Sequence, residues 1–395
     1  MNDNKTSKNS IVAKFAVPIS FLILFFLAAN FTDCDLVTFW KRRSHLTDLV
    51  VDMIPPDFSY IQKILLPLFY TIQMSVTGTV LGIFFALVLS PFGAANLGFP
   101  AVIRRILRIV IQILRSFPAL ILALTATFLF GLGTFAGTFA ITLYTFAIMT
   151  KLTYEDASAA DVKAYQALRA MGVSKYVAYI HGILPEIIPG FLTNALYLLE
   201  TNVRHSSILG YVGAGGIGLL LNEKISWLEY DKVGTILLML FLTVCVIEYF
   251  SRYLAALIRK ERTIKKEQAR LLLLFLAALF LICTFTLSLP DFSRTSPQTL
   301  RNMFAGFLQP DWSFFFSAAK DGLGYLLLET VCIAFIGTVI GAIVSAPLAF
   351  LNTKRFVPAP VSFLFNLVIM VIRSVPFLVY GLIFIRVSGP GAFTG

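Results

Sequence analysis

Glu200, Asn202, Arg204, Ser206 and Ser207 stand together near the end of one apolar run, and Arg115 lies well inside another. Charged and polar side chains are costly within a membrane-length segment and usually face the bundle interior or a watery cavity. Glu200 and Arg204, four residues apart, can pair along one helix face. Such pairing leaves Arg204 partly uncommitted, with the Ser206 and Ser207 hydroxyls and the Asn202 amide nearby. Guanidinium and hydroxyl donors together suit an oxyanion. A helix-stabilising pair with an interfacial arginine explains the same residues, and both readings stay open. Glu329, a lone acid in a later apolar run, carries no assigned role.

The run Gly213-Ala214-Gly215-Gly216-Ile217-Gly218 follows at once. Its glycines allow positive φ and close backbone approach, and irregular backbone at membrane depth is tolerated where it is buried or lines a cavity. Residues 208–220, with Gly213, Gly215, Gly216 and Gly218, are therefore expected at the outer mouth of a translocation path; a re-entrant turn with a packing role is the alternative. The run formally fits G-x-G-x-x-G, but that pattern has meaning only between a strand and a helix, and membrane-length segments flank it here. No GxxxxGK[ST] occurs, so neither a phosphate-binding loop nor a cofactor bound by this chain is expected. His45, His181 and His205 lack neighbours at ligand spacing, and Cys34, Cys245, Cys283 and Cys332 are scattered, which indicates neither a metal site nor a disulfide framework. Catalytic residues are expected to be absent.

Membrane helices must position these groups. A soluble domain is about 25% charged; this chain of 395 residues is 13% charged and 58% hydrophobic, with 38 Phe and a mean hydropathy of +0.83. A span takes roughly 20 apolar residues. Runs of that kind predict about nine helices, at 11–29, 64–90, 106–131, 135–151, 186–204, 233–258, 271–289, 324–350 and 360–386. The first is too long for a signal h-region and leads into Asn30-Phe31-Thr32-Asp33, so it reads as a retained helix. The net charge of +11 would suggest nucleic acid in a soluble chain. Here the bases flank apolar runs, so the partner is the bilayer and not nucleic acid. A cytoplasmic N-terminus, with Lys5, Lys8 and Lys14, also puts Arg104, Arg105, Arg108, the loop 152–185, the basic stretch 252–270 and Lys354-Arg355 inside, as the positive-inside rule requires. Lys41-Arg42-Arg43 in the outer loop 30–63 fits less well, although aspartates dilute it.

The chain also repeats itself. T-I-Q-M-S-V-T-G-T-V-L-G at 71–82 matches T-V-C-I-A-F-I-G-T-V-I-G at 330–341; Pro91 to Asn96 matches Pro347 to Asn352; Arg115-Ser116-Phe117-Pro118 matches Arg373-Ser374-Val375-Pro376; and Gly131 to Gly137 matches Gly389 to Gly395. Shared hydrophobicity alone would not keep Gly, Pro, Asn and Arg in step, so a tandem duplication with its seam at 252–270 is expected. The second copy stops opposite Gly137. The favoured expectation is a tandem protein cut short; a second polypeptide completing the repeat, or two chains pairing through their first copies, are the alternatives.

Between helices, Ala159 to Met171 suits a short amphipathic helix, Gly172 ends it as Gly does at a C-cap, and a second helical stretch runs to Leu184-Pro185. Two short helices at an angle make a knob able to dock into a partner's groove, whereas a polar connecting loop of this length with no role is uncommon.

Gln166-Ala167-Leu168-x3-Gly172, followed by Leu184-Pro185, resembles the coupling loop of ABC-importer permeases, E-A-A-x3-G-x9-I-x-L-P. Gln166 stands where that family usually has Glu, and Gly182 where it usually has Ile. Residues 200–218, E-T-N-V-R-H-S-S-I-L-G-Y-V-G-A-G-G-I-G, closely resemble the E-x-N-V-R-x4-L-G-x-V-G-A-G-G-I-G pattern of phosphonate importer permeases (PhnE-like). The glycine part alone is shared with methionine permeases. The resemblance covers roughly 64–250 and again 324–395. It implies an all-α integral membrane protein of the type I ABC-importer permease (MetI-like) fold in a bacterial inner membrane. Its domains would be an N-terminal helix and outer loop (1–63), a first permease domain (64–258), a basic linker with an added helix and outer loop (259–323), and an incomplete second permease domain (324–395). It further implies a dimeric ABC ATPase docked on Gln166, Ala167, Leu168, Gly172, Leu184 and Pro185, an extracytoplasmic substrate-binding protein, and a second permease domain or chain. The implied cargo is a phosphonate or related phosphorus oxyanion. Methionine, betaine or phosphite transport is the rival within the class, and a non-transporting membrane scaffold the rival from outside it.

Overall fold

A bilayer core offers backbone groups no water, so a chain crossing it must close its own hydrogen bonds. The computed structural model describes residues 19–32, 43–261, 265–288, 290, 298, 301–302, 305–306, 309, 311–317, 319, 322–353, 355–389 and 391; among them there are helices and no strand. In order, the helices are α1 (Ile19–Phe31), α2 (Arg43–Asp52), α3 (Ile61–Gly93), α4 (Ala101–Ser116), α5 (Ala119–Phe130), α6 (Thr134–Ala159), α7 (Lys163–Ala170), α8 (Lys175–Gly182), α9 (Leu184–Leu209), α10 (Ile217–Ser226), α11 (Tyr230–Ile258), α12 (Lys266–Phe285), α13 (Trp312–Phe316), α14 (Leu323–Asn352), α15 (Ala359–Ser374) and α16 (Phe377–Ser388). Five of these are long and apolar enough to cross a membrane, or eight when each of three bent pairs is one span. The expected first helix, 11–29, lies partly outside the described residues, as do the N-terminal lysines, Lys41-Arg42, Cys34 and much of 289–321.

Two expected spans need correcting. The run at 106–131 is not one helix but α4 and α5, bent by 94°, and the run at 360–386 is α15 and α16, bent by 79°. Proline is the cause. Pro118 lacks an N–H and pushes the residue before it out of the α region; Phe117 accordingly has φ −83° and ψ 124°. The fourth expected helix, α6, also overruns its expected end at residue 151 and continues to Ala159. The loop expected from 152 therefore begins at Ala160, and its first helix starts at Lys163 rather than Ala159.

The described residues divide into two compact units: one within 53–304 plus Ser374–Pro376, the other within 1–52, 305–373 and 377–395. In the first unit the tightest pairing is α3 against α6. A Cβ on Gly78 would lie 2.8 Å from the Ile141 side chain, and one on Gly82 2.7 Å from the Thr145 Cβ. Gly78 and Gly82 form a GxxxG step, which lets two backbones approach closely enough for dispersion and Cα–H contacts to hold helices together in lipid. α9 lies against both, through Phe191, Ala195 and Leu198 on Ala86 and Met149. α12 is tied to α3 by Gln73, whose Nε2 donates to the Cys283 carbonyl at 3.1 Å and the Thr286 hydroxyl at 2.8 Å. At the end of α10, buried Lys224 bridges Glu223 and Glu229, each at 2.9 Å, beneath the Trp227 ring. Burial pulls the Lys224 pKa down, but its bonds to Glu229 and Glu223 hold it above the ordinary lysine value.

In the second unit, α1 packs its Phe21 and Phe31 on Phe335 and Tyr325 of α14, with ring centroids 5.1 and 5.0 Å apart. The N-terminal helix thus groups with the described residues of 305–373. α15 and α16 have 16 and 12 residues, the lengths of α4 and α5. Unlike Gly78 and Gly82, Gly337 and Gly341 of α14 have no neighbour within 4 Å of a Cβ among the described residues.

The α3–α6 contact gives a direct expectation. Gly82→Val would force the helices apart by at least the width of a methyl group, whereas Gly341→Val meets open space. The first should sharply lower the yield of monodisperse protein in detergent and its midpoint of thermal unfolding, and the second should not; equal behaviour would mean that the α3–α6 contact does not hold the unit together.

Candidate functional site

The first candidate element is the knob α7–α8. Ser174 caps α8 by accepting from the Val177 N–H. Gly172, at φ +83°, turns the chain between the helices, and the Val173 N–H returns to the Leu168 carbonyl at 3.2 Å, the closing bond of a Schellman turn. The knob is fastened rather than tethered. Tyr165 is buried and donates its hydroxyl to the Leu97 carbonyl at 2.6 Å. Lys175 of α8 donates to the Gly98 carbonyl in the same loop, and Asn96 ties that loop to the end of α6 by donating to the carbonyls of Ala157 and Ser158 at 2.9 and 3.3 Å. Ala94, Leu97, Ala157, Tyr165, Ala178, Tyr179, Ile183 and Ile187 form one apolar core beneath it. Gln166, Ala167, Met171 and Gly172 remain exposed on the outer face of the knob, Met171 by 70%, with Leu168 and Leu184 half-buried and Pro185 exposed.

Gly182 now has a physical explanation. A Cβ there would lie 2.8 Å from the Tyr165 backbone nitrogen and 2.9 Å from its Cα, so α7 crosses α8 too closely for any side chain. The anchoring residues Tyr165, Tyr179 and Asn96 went unnoticed in the sequence. Asn96 carried a signal, since the repeat pairs it with Asn352; the tyrosines carried none beyond their spacing in an amphipathic segment.

At the opposite end of α3 and α6 lies the glycine run. Gly213, Gly215 and Gly216 have φ of +83°, +81° and +77°. The Gly133 N–H donates to the Gly213 carbonyl at 3.0 Å, and the Ile217 N–H to the Thr71 hydroxyl at 2.8 Å. A Cβ on Gly216 would lie 2.7 Å from the Thr71 Oγ1, and one on Gly218 would fall onto the Ser207 carbonyl oxygen. Gly216 and Gly218 are buried. In this conformation they let α10 fold back on the end of α9, which is the packing role weighed for them.

α9 joins the two ends and carries most of the polar candidates. Asn202 is fully buried; its Nδ2 donates to the Thr79 hydroxyl of α3 and the Thr145 hydroxyl of α6, both at 2.8 Å. Ser206 and Ser75 share a hydrogen bond of 2.6 Å, and Ser206 also donates to the Asn202 carbonyl at 2.7 Å. Ser207 donates back to the Arg204 carbonyl at 2.5 Å. Asn202 and Ser206 thus join α9 to its neighbours, and Ser207 bonds within α9. Glu200 and Arg204 form the ion pair foreseen from their spacing, with side chains only 9% and 14% exposed. Arg115 is placed apart from them, exposed at the end of α4 just before the proline bend.

Residues 78–264 match the family model described as "Binding-protein-dependent transport system inner membrane component". The phosphite transport system permease protein PtxC of Stutzerimonas stutzeri is 31% identical over 217 residues, covering 55% of this chain and 79% of that protein. The putative phosphite transport system permease protein HtxC of the same organism is 31% identical over 242 residues, 60% of this chain and 86% of that one. The putative cryptic phosphonate transport system permease protein PhnE2 of Escherichia coli is 30% identical over 115 residues, 29% of this chain and 94% of that one. Among solved structures, the MetNI methionine ABC transporter in inward-facing conformations aligns with 51% of this chain and 99% of its own, at 20% identity and a TM-score of 0.46. Long apolar helices, a fastened surface knob and a glycine-rich fold-back thus occur together in a chain that covers 79% and 86% of two relatives at 31% identity, and the chain belongs to the binding-protein-dependent inner membrane component family, the multi-pass permease subunits of ABC importers.

Proposed function

We propose that this permease passes a small phosphorus oxyanion, a phosphonate or phosphite, through the membrane, driven by a separate dimeric ABC ATPase that docks on the α7–α8 knob. The carrying observation is the knob itself: two short helices with an exposed outer face, fastened by Tyr165 to Leu97 in the loop after α3, a loop that Asn96 in turn ties to the end of α6. A push on such a knob moves the spans instead of flexing a loop. The names of the phosphite and phosphonate relatives support the substrate class. In this reading the knob faces the cytoplasm and the glycine run faces outward, where an extracytoplasmic binding protein delivers the solute. A second permease domain or chain completes the path, and the 64–258 and 324–395 segments are the two copies of a tandem duplication.

The test is uptake and ATP hydrolysis by the complex reconstituted with its ATPase and binding protein. Uptake of methylphosphonate or phosphite, absent without the binding protein, supports the proposal; hydrolysis with uptake of none of these anions sinks the substrate class. In the same assay, Gly172→Val should lower uptake while leaving membrane abundance normal, because a Cβ in left-handed geometry costs roughly 1–2 kcal/mol and misdirects α8. Gln166→Glu should be tolerated. Gly182→Ile, although it restores the family's usual residue, should damage the knob, since α7 occupies the space. A Gly172→Val protein that transports like the parent would remove the knob from the coupling path.

The buried ion pair is tested by a pairwise change. Arg204→Ala takes the arginine from a buried carboxylate, a loss of about 3–5 kcal/mol in stability, and should abolish uptake. Glu200→Gln combined with Arg204→Ala discriminates the two readings of the pair. Recovered uptake in the double variant makes the pair structural; continued loss with normal abundance leaves Arg204 as a contact of the transported anion.

A further inference from the structure

An open cleft of about 330 Å³ lies between α4 and α6, lined by Ile111, Gln112, Arg115, Ser116, Lys151 and Tyr154. The substrate reading above does not use it, and only Arg115 among its residues was singled out by sequence. We propose that this cleft is a way-station for the transported oxyanion, with the Arg115 guanidinium and Lys151 ammonium as its cationic donors and Gln112 and Ser116 as its neutral ones. The inference rests on the phosphorus-oxyanion reading and deepens it by naming a site within the path.

Depth is the first argument. α4 begins at the knob end, where Arg108 holds the Gly93 carbonyl at 2.9–3.0 Å and stacks over Tyr154, and Arg104 holds the Ala95 carbonyl at 3.3 Å. Arg115 is seven residues further along the same helix, roughly 10 Å at 1.5 Å per residue. Lys151 lies one turn beyond Tyr154 in the same direction along α6. Arg104 and Arg108 already hold the end of the span, so interfacial anchoring leaves Arg115 unexplained. Ionisable groups displaced into a span are a functional-site hypothesis by default.

Commitment is the second. Arg115 makes no hydrogen bond or ion pair among the described residues, whereas Arg104 and Arg108 hold backbone carbonyls and Arg204 pairs with Glu200. Lys151 is 33% exposed and pairs with Glu155 at 3.4 Å, a carboxylate that is itself 50% exposed, so its ammonium keeps donors to spare. Arg115, Lys151 and Glu155 together leave one net positive charge, which favours an anion. A guanidinium can grip two oxygens of a tetrahedral anion at once, and the ammonium acts as a point charge beside it. The cleft is open, which suits a site that must release what it binds.

A lipid phosphate presents the same chemistry as a free oxyanion, and the experiment separates them. Arg115→Gln, Arg115→Lys and the double variant Arg115→Gln with Lys151→Gln are reconstituted at matched membrane abundance. Uptake of methylphosphonate and phosphite is measured across concentration, and phospholipid retained by the purified protein is measured by native mass spectrometry. The double variant should lose uptake by about tenfold or more, the size expected from charge-assisted hydrogen bonds. Arg115→Lys should keep measurable uptake with a raised KM, which shows that a charge and not merely a shape is needed. Retained phospholipid should match the parent's. Uptake by the double variant equal to the parent's overturns the way-station while leaving the substrate class intact. Phospholipid lost from the double variant also overturns it, in favour of a lipid anchor. A parent that takes up neither anion overturns the substrate class, and the way-station with it.

Discussion

The close approach of α3 and α6 is the contact on which the rest of the first unit depends. Lipid removes the hydrophobic drive that joins helices in water, so cohesion must come from packing at short range and from buried polar contacts. Gly78 and Gly82 supply the first, because no side chain fits between them and Ile141 or Thr145. Asn202 supplies the second by binding Thr79 and Thr145 at once. Both devices sit at the same level of the bundle. Three helices are thereby joined where α3 and α6 are already too close to slide.

That junction explains how the two ends can be related. The knob is fastened at the end of α3 and α6 that holds Gly93 and Ala157, and the glycine fold-back is fastened at the end that holds Thr71 and Thr134. α9 runs directly from one to the other. In the proposed cycle, a displacement of the knob is carried along helices that cannot shear past each other at Gly82, and it reaches the fold-back as a rigid motion. The proline bends work in the opposite sense. Between α4 and α5 the chain turns by 94° directly after Arg115 and Ser116, so α5 leaves the direction of α4 beside the cleft that these two residues line.

Much of this was legible in the residues. Long apolar runs gave the all-helical membrane fold, and the Glu200–Arg204 spacing gave a pair that the structure forms. The bends were missed because hydropathy is blind to direction: α4 and α5 taken together across Pro118 are long and apolar enough to read as one span. The overrun of α6 to Ala159 was missed because Glu155 and Asp156 read as the polar start of a loop, whereas Glu155 pairs back along the helix with Lys151. Asn202 and Ser206 looked like ligand donors because polarity in an apolar run does not reveal its acceptor; here the acceptors are on helices distant in sequence. Gly182 looked like a departure from a pattern and proves to be a steric requirement set by Tyr165. Lys151 drew no notice at all, since only the packing of α4 on α6 brings it beside Arg115 in one cleft.

The ratio of ATP hydrolysed to solute taken up by the reconstituted Asn202→Leu variant tests the central claim most directly. An interhelical hydrogen bond in a membrane contributes about 0.6–2 kcal/mol, so the fold should survive the change. The three-helix junction should loosen, and the account predicts hydrolysis near the parent's with uptake much reduced, a clear rise in the ratio. An unchanged ratio, with the variant present at parental abundance, would contradict transmission through the α3–α6–α9 junction.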